Sequence, residues 1–115
     1  MRNAKLDMET KPAEGHDAVI ARLNGSLSLE TVNGFIERMR PEPAGELILD
    51  MSGLSFLDSA GIGALVSLFV GRRNRGKTLA LAALTQQGTA VLQVAGLLKL
   101  MPVFPSVNEA LSKHA

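Results

Sequence analysis

Asp50-Met51-Ser52-Gly53-Leu54-Ser55-Phe56-Leu57-Asp58-Ser59-Ala60-Gly61-Ile62-Gly63 joins two hydrophobic patterns of different period. Leu47, Ile48 and Leu49 enter it as a short apolar run fit for a buried strand, and Ile62, Leu65, Val66 and Phe69 leave it at helical spacing. At the junction Ser59 follows an acid and precedes Gly61 and Gly63. A helix start presents unpaired N–H groups and the positive end of the helix dipole. A small hydroxyl placed there is well situated for chemistry or for a switch.

Outward from this junction the chain alternates strands and helices. Leu6 and Met8 alternate with polar neighbours, and Val19, Ala21 and Leu23 do the same after the turn-rich stretch Lys11–Asp17. These read as an antiparallel hairpin, the second strand ending at Asn24-Gly25-Ser26. Leu29, Val32, Ile36 and Met39 predict a helix with Ser28 as N-cap and Pro41 as its stop. A buried strand over 46–50 precedes the junction, whose loop leads into a helix from about Ser59 to Asn74. Residues 78–84 predict a further strand, Thr85 caps a third helix that Gly96 stops, residues 100–104 make an edge strand around Pro102, and 108–114 form a terminal helix. The order β-β-α-β-α-β-α-β-α implies one α/β domain over residues 1–115, with a mixed, mostly parallel sheet, an N-terminal antiparallel hairpin and about four helices.

Composition narrows the function. With 115 residues and 46% hydrophobic content the chain supports a packed core. Four Phe and no Trp or Tyr supply no base-stacking platform, and a net charge of +1 gives no steering toward nucleic acid. The absence of Cys excludes disulfides and Cys-ligated metals. The first residues lack a signal-peptide core, and the apolar run Gly61–Val70 is about half the ~20 residues of a membrane span. A soluble cytoplasmic protein, without membrane insertion and monomeric or weakly dimeric, is the expectation.

Several sites compete. Gly71–Thr78 spells the phosphate-loop pattern G-x-x-x-x-G-K-[ST], yet that cradle needs a strand before it and a helix after it, and here the order is reversed. Ser59 as a catalytic nucleophile needs an activating base, but only His16 and His114 exist and neither neighbours it in sequence. Asp50 lacks the acidic companion that a metal-dependent phosphoacceptor requires, and Glu46, Asp50 and Asp58 are poorly spaced for a metal. No catalytic residue, metal or cofactor is assigned. Asp58-Ser59 reads as an N-cap, but Gly61 and Gly63 together cost about 2 kcal/mol against alanine, which a cap alone does not require. Small residues there leave the helix start open to another molecule.

Leu54–Leu65, with Asp58-Ser59-Ala60-Gly61-Ile62-Gly63 at its centre, resembles the signature of STAS-domain anti-sigma factor antagonists. Leu23-Asn24-Gly25-Ser26-Leu27-Ser28, Val94–Leu100, and Phe104 with Glu109-Ala110-Leu111 resemble further segments of that family, so the likeness spans nearly the whole chain. The resemblance implies a STAS-like fold and a partner switch. The unmodified protein would bind an anti-sigma factor that is also a serine kinase, phosphorylation of Ser59 would release it, and a serine phosphatase would reset it. Asp58, Ser59, Ala60, Gly61 and Gly63, with Ser26 and Ser28 of the neighbouring loop, are the implied partner-binding residues. Ser28 stands where many members carry an acid and Ser26 where they carry a polar or acidic residue, and Ala60 replaces the second serine of many members. Another expectation of the same resemblance is a STAS subunit that docks an ATPase in a membrane complex, such as a lipid ABC transporter, without a phosphorylation cycle.

Overall fold

The computed structural model describes residues 4–113. Five strands lie in chain order: β1 (Leu6–Pro12), β2 (Ala18–Leu27), β3 (Glu46–Leu57), β4 (Thr78–Ala82) and β5 (Val103–Phe104). The β1–β2 pair is antiparallel, and β2–β3, β3–β4 and β4–β5 are parallel. The connecting helices are α1 (Val32–Met39), α2 (Ser59–Asn74) and α3 (Gln86–Val94), with α4 (Val107–Ser112) closing the fold.

Strand period sorts the core into two layers, because successive side chains point to opposite faces. Leu23 of β2, Leu47, Leu49 and Met51 of β3, and Leu79 and Leu81 of β4 face a buried layer shared with Phe35 and Met39 of α1, Leu65 and Leu68 of α2, and Leu92 of α3. The alternate residues Ile20, Ile48, Ala80 and Ala82 form a smaller layer under Ala110, Val107 and Leu111 of α4. Three helices therefore cover one face and α4 covers the other.

Several boundaries differ from the sequence expectation. Asn24-Gly25-Ser26 does not end β2, which runs on to Leu27, and residues 51–57 are not a loop but the second half of β3. The two extensions pair with each other, Gly53 with Asn24 and Leu57 with Leu27, with register irregularities after Arg22 and Gly25. Because β4 pairs along β3 only from Glu46 to Asp50, this arm projects beyond the main sheet and carries the start of α2 to the end of β2. Ser28 does not cap α1: the N-cap is Thr31, and Leu29 lies outside the helix. β4 stops at Ala82 and β5 begins only after Pro102, which has no N–H to give a ladder. The terminal helix begins at Val107, and its expected end at His114 lies outside the described residues.

Candidate functional site

The site is built where the β2–β3 arm ends. Asp58 leaves β3 in an extended conformation and becomes the N-cap of α2. Its Oδ1 accepts the Gly61 backbone N–H at 2.9 Å, satisfying one of the orphan donors of the first turn. Its Oδ2 accepts the Leu29 N–H at 3.1 Å, from the loop after β2. One carboxylate thus fastens the helix start to a segment 29 residues earlier. The Gly61 N–H does most to hold the carboxyl below its ordinary value, against an opposing cost of burial, and the Leu29 N–H adds a lesser lowering. Asp58 is ionised at neutral pH.

Ser59 occupies the first position of α2 and is exposed. Ala60 is half-buried and lines a groove of about 650 Å³ between α1 and α2, together with Val32, Ile36 and Ala64. The two glycines part company. Gly63 is exposed and open, whereas Gly61 is buried: a Cβ there would strike the carbonyl oxygen of Leu27 and come within 2.8 Å of Leu57 Cδ1. The expectation that Gly61 admits another molecule is therefore corrected. Its small size lets α2 pack on the end of β2.

Ser26 is half-buried and its carbonyl accepts the Thr31 hydroxyl at 2.8 Å. Ser28, expected on the partner-facing surface, is buried at 3% exposure, and its Oγ has no hydrogen-bond partner. Its residue type was read as a cap, but no side chain caps this helix start: the Thr31 hydroxyl instead accepts the Ser28 N–H at 3.0 Å. Leu29, assigned to a helix face in the sequence, is instead 72% exposed beside Asp58. Only tertiary pairing brings Leu29 here, so its spacing of three from Val32 was misleading.

The Gly71–Thr78 stretch has the helix-then-strand order expected of it, and three of its four cations are engaged. Arg72 is fully buried, not a solvated charge at a helix end. Its guanidinium donates to the carbonyls of Thr78 at 2.8 Å, Glu42 at 3.1 Å and Ala44 at 2.7 Å. Arg75 donates to the Arg40 carbonyl and Lys77 to that of Pro43. These contacts clasp the loop between α1 and β3. His16 lies in the β1–β2 turn, next to the Ala18–Glu46 end of the ladder, while Ser59 follows the Leu27–Leu57 end about 30 Å away along the strands.

Among the described residues no helix is long and apolar enough to cross a membrane. An anti-sigma F factor antagonist from Paenibacillus polymyxa is 25% identical over 117 residues, spanning 96% of this chain and 95% of the relative. The anti-sigma factor antagonist SpoIIAA in its unphosphorylated form has a similar structure, with a TM-score of 0.77 and 20% identity over 93% of this chain and 95% of that one. So does a sulfate transporter family protein from Wolinella succinogenes, at a TM-score of 0.76 and 20% identity over 84% of each chain. At these identities the two structures speak to the fold alone. A model of the STAS domain matches residues 7–110, from β1 into α4, and so takes in both the sheet and the Asp58-capped helix start: the chain belongs to the STAS domain family.

Proposed function

We propose that this protein is an anti-sigma factor antagonist that binds an anti-sigma factor serine kinase while Ser59 is unmodified and is released when Ser59 is phosphorylated. The observation that carries the reading is the exposed Ser59 at the start of α2, next to a carboxylate already engaged as the cap. In the reaction a bond forms between Ser59 Oγ and the γ-phosphorus of ATP, the bond to ADP breaks, and the serine proton passes to a base on the kinase. The product carries about −1.5 to −2 charges beside ionised Asp58. The helix N-terminus tolerates that charge, so the fold survives while a closely packed partner meets repulsion and new bulk. A serine phosphatase restores the binding form. Among the described residues the one histidine, His16, lies at the far end of the ladder from Ser59, which favours binding over hydrolysis.

The test uses the purified kinase from the same host with ATP. Ser59 is expected to be the one residue modified, and Ser59→Asp to weaken kinase binding by at least tenfold with an unchanged circular dichroism spectrum. Unchanged affinity of Ser59→Asp removes the switch. The fold likeness to a sulfate transporter family protein favours a second reading, a STAS subunit docked without a phosphate cycle. Under that reading the protein co-purifies with membrane components and Ser59 stays unmodified in the host.

A further inference from the structure

We infer that Leu29 is a specificity-determining contact of the Ser59 surface, received by an apolar pocket on the kinase that modifies this serine. The inference rests on the reading just given and names a feature of the partner that the reading leaves open.

A lone exposed leucine needs no explanation, since folded proteins expose many apolar side chains. Leu29 differs in how it is held. The segment around it is closed by short-range bonds: the Thr31 hydroxyl accepts the Ser28 N–H and donates to the Ser26 carbonyl, while the Thr31 and Val32 N–H groups both return to the Ser28 carbonyl at 2.9 Å. Its own N–H is taken by Asp58 Oδ2, the oxygen not used to cap α2. Leu27 and Ser28 on one side are buried, yet Leu29 is 72% exposed. Its backbone is therefore fixed, and docking its side chain forfeits little conformational freedom.

Position decides what covers it. The Leu29 N–H is bonded to the residue immediately before Ser59. A specific protein contact covers roughly 800 Å² on each partner. A kinase seated on Ser59 therefore covers Leu29 as well. A pocket of apolar side chains matches Leu29, whereas a charged one there would be desolvated without a partner.

The experiment measures steady-state phosphorylation of Ser59 by the purified host kinase, with the antagonist as varied substrate. Because Leu29 touches the partner and not the reacting atoms, Leu29→Ala is expected to raise KM about tenfold with kcat within about twofold. Leu29→Asp is expected to raise KM further, Leu29→Met to restore most of the loss, and Val94→Ala, at a site 91% exposed on α3, to change nothing. Unaltered melting temperatures check that the variants fold. A KM for Leu29→Ala within twofold of wild type overturns the inference, and if Ser59 is still modified the switch itself stands. A wild-type dimer in sedimentation that Leu29→Ala dissolves also overturns it, by making a second copy the occupant. Failure of the kinase to modify wild-type Ser59 sinks the switch and this inference together.

Discussion

Asp58 works as two acceptors on one side chain, and each oxygen has a separate structural task. Oδ1 closes the first turn of α2, and Oδ2 ties in the loop after β2. Asp58→Ala is expected to lose about 1–2 kcal/mol of stability in urea unfolding, the range for removing a helix cap. The pH dependence follows from the sign of the shift. A carboxyl whose folded pKa lies below its unfolded value stabilises the fold above about pH 4, and that contribution fades as pH falls through the folded value. Asp58→Asn is therefore expected to flatten the acid limb of stability below about pH 4, while retaining part of the cap at neutral pH. An acid limb identical to wild type would mean that the carboxylate charge contributes nothing. The cap was legible in the sequence because it is local, spanning only Asp58 to Gly61. The tie to Leu29 was not, because no spacing rule connects residues brought together by pairing of two strands. Gly61 shows the same divide: its smallness was plain, but the Leu27 carbonyl that requires it is a tertiary neighbour.

At the level of elements, periodicity identified α2 and α3 because each presents a caps-and-stripe pattern that local physics decides. Asp58 and Thr85 cap them as expected, the Thr85 hydroxyl accepting the Gly88 N–H at 3.0 Å. The second half of β3 escaped, since Ser52, Gly53 and Ser55 look like turn residues. Their extended conformation is imposed by the Asn24–Leu27 ladder, not by propensity. The burial of Arg72 at the basic end of α2 has a related, tertiary cause: the carbonyls that draw it inward belong to the loop before β3 and the start of β4. Planar geometry lets one guanidinium reach all three, which lysine cannot reproduce. Arg72→Lys and Arg72→Met are both expected to lose roughly 2–4 kcal/mol, because buried carbonyls forfeit their donors. Equilibrium urea unfolding checks this, with an unchanged m-value separating lost stability from altered compactness. A loss below about 0.5 kcal/mol would show that water or other groups replace the clasp.

Across the whole molecule the two ends of the sheet carry different tasks. The Ser59 surface sits where the β2–β3 arm ends, whereas Glu46 begins β3 at the opposite end, 4% exposed. Lys113, just past α4, forms an ion pair with Glu46, and its ammonium lies 5.0 Å from the centre of the Phe104 ring. One cation thus joins β3, the edge strand β5 and α4, the helix that covers the smaller layer. Lys113→Met removes one of the groups that engage the buried Glu46 carboxylate, and losing one member of a fully buried ion pair costs about 3–5 kcal/mol. Lys113 keeps some contact with water, so about 2 kcal/mol is expected. Pairing it with Glu46→Gln removes the carboxylate's charge, so the double variant should be more stable than Lys113→Met alone. If α4 is a clamp remote from the switch, both variants should lose amide protection first in α4 and β5 under hydrogen exchange, while kinase affinity stays within about twofold of wild type. A parallel loss of affinity would mean that the second face of the sheet reaches the Ser59 surface through β3, and that clamp and switch form one cooperative unit.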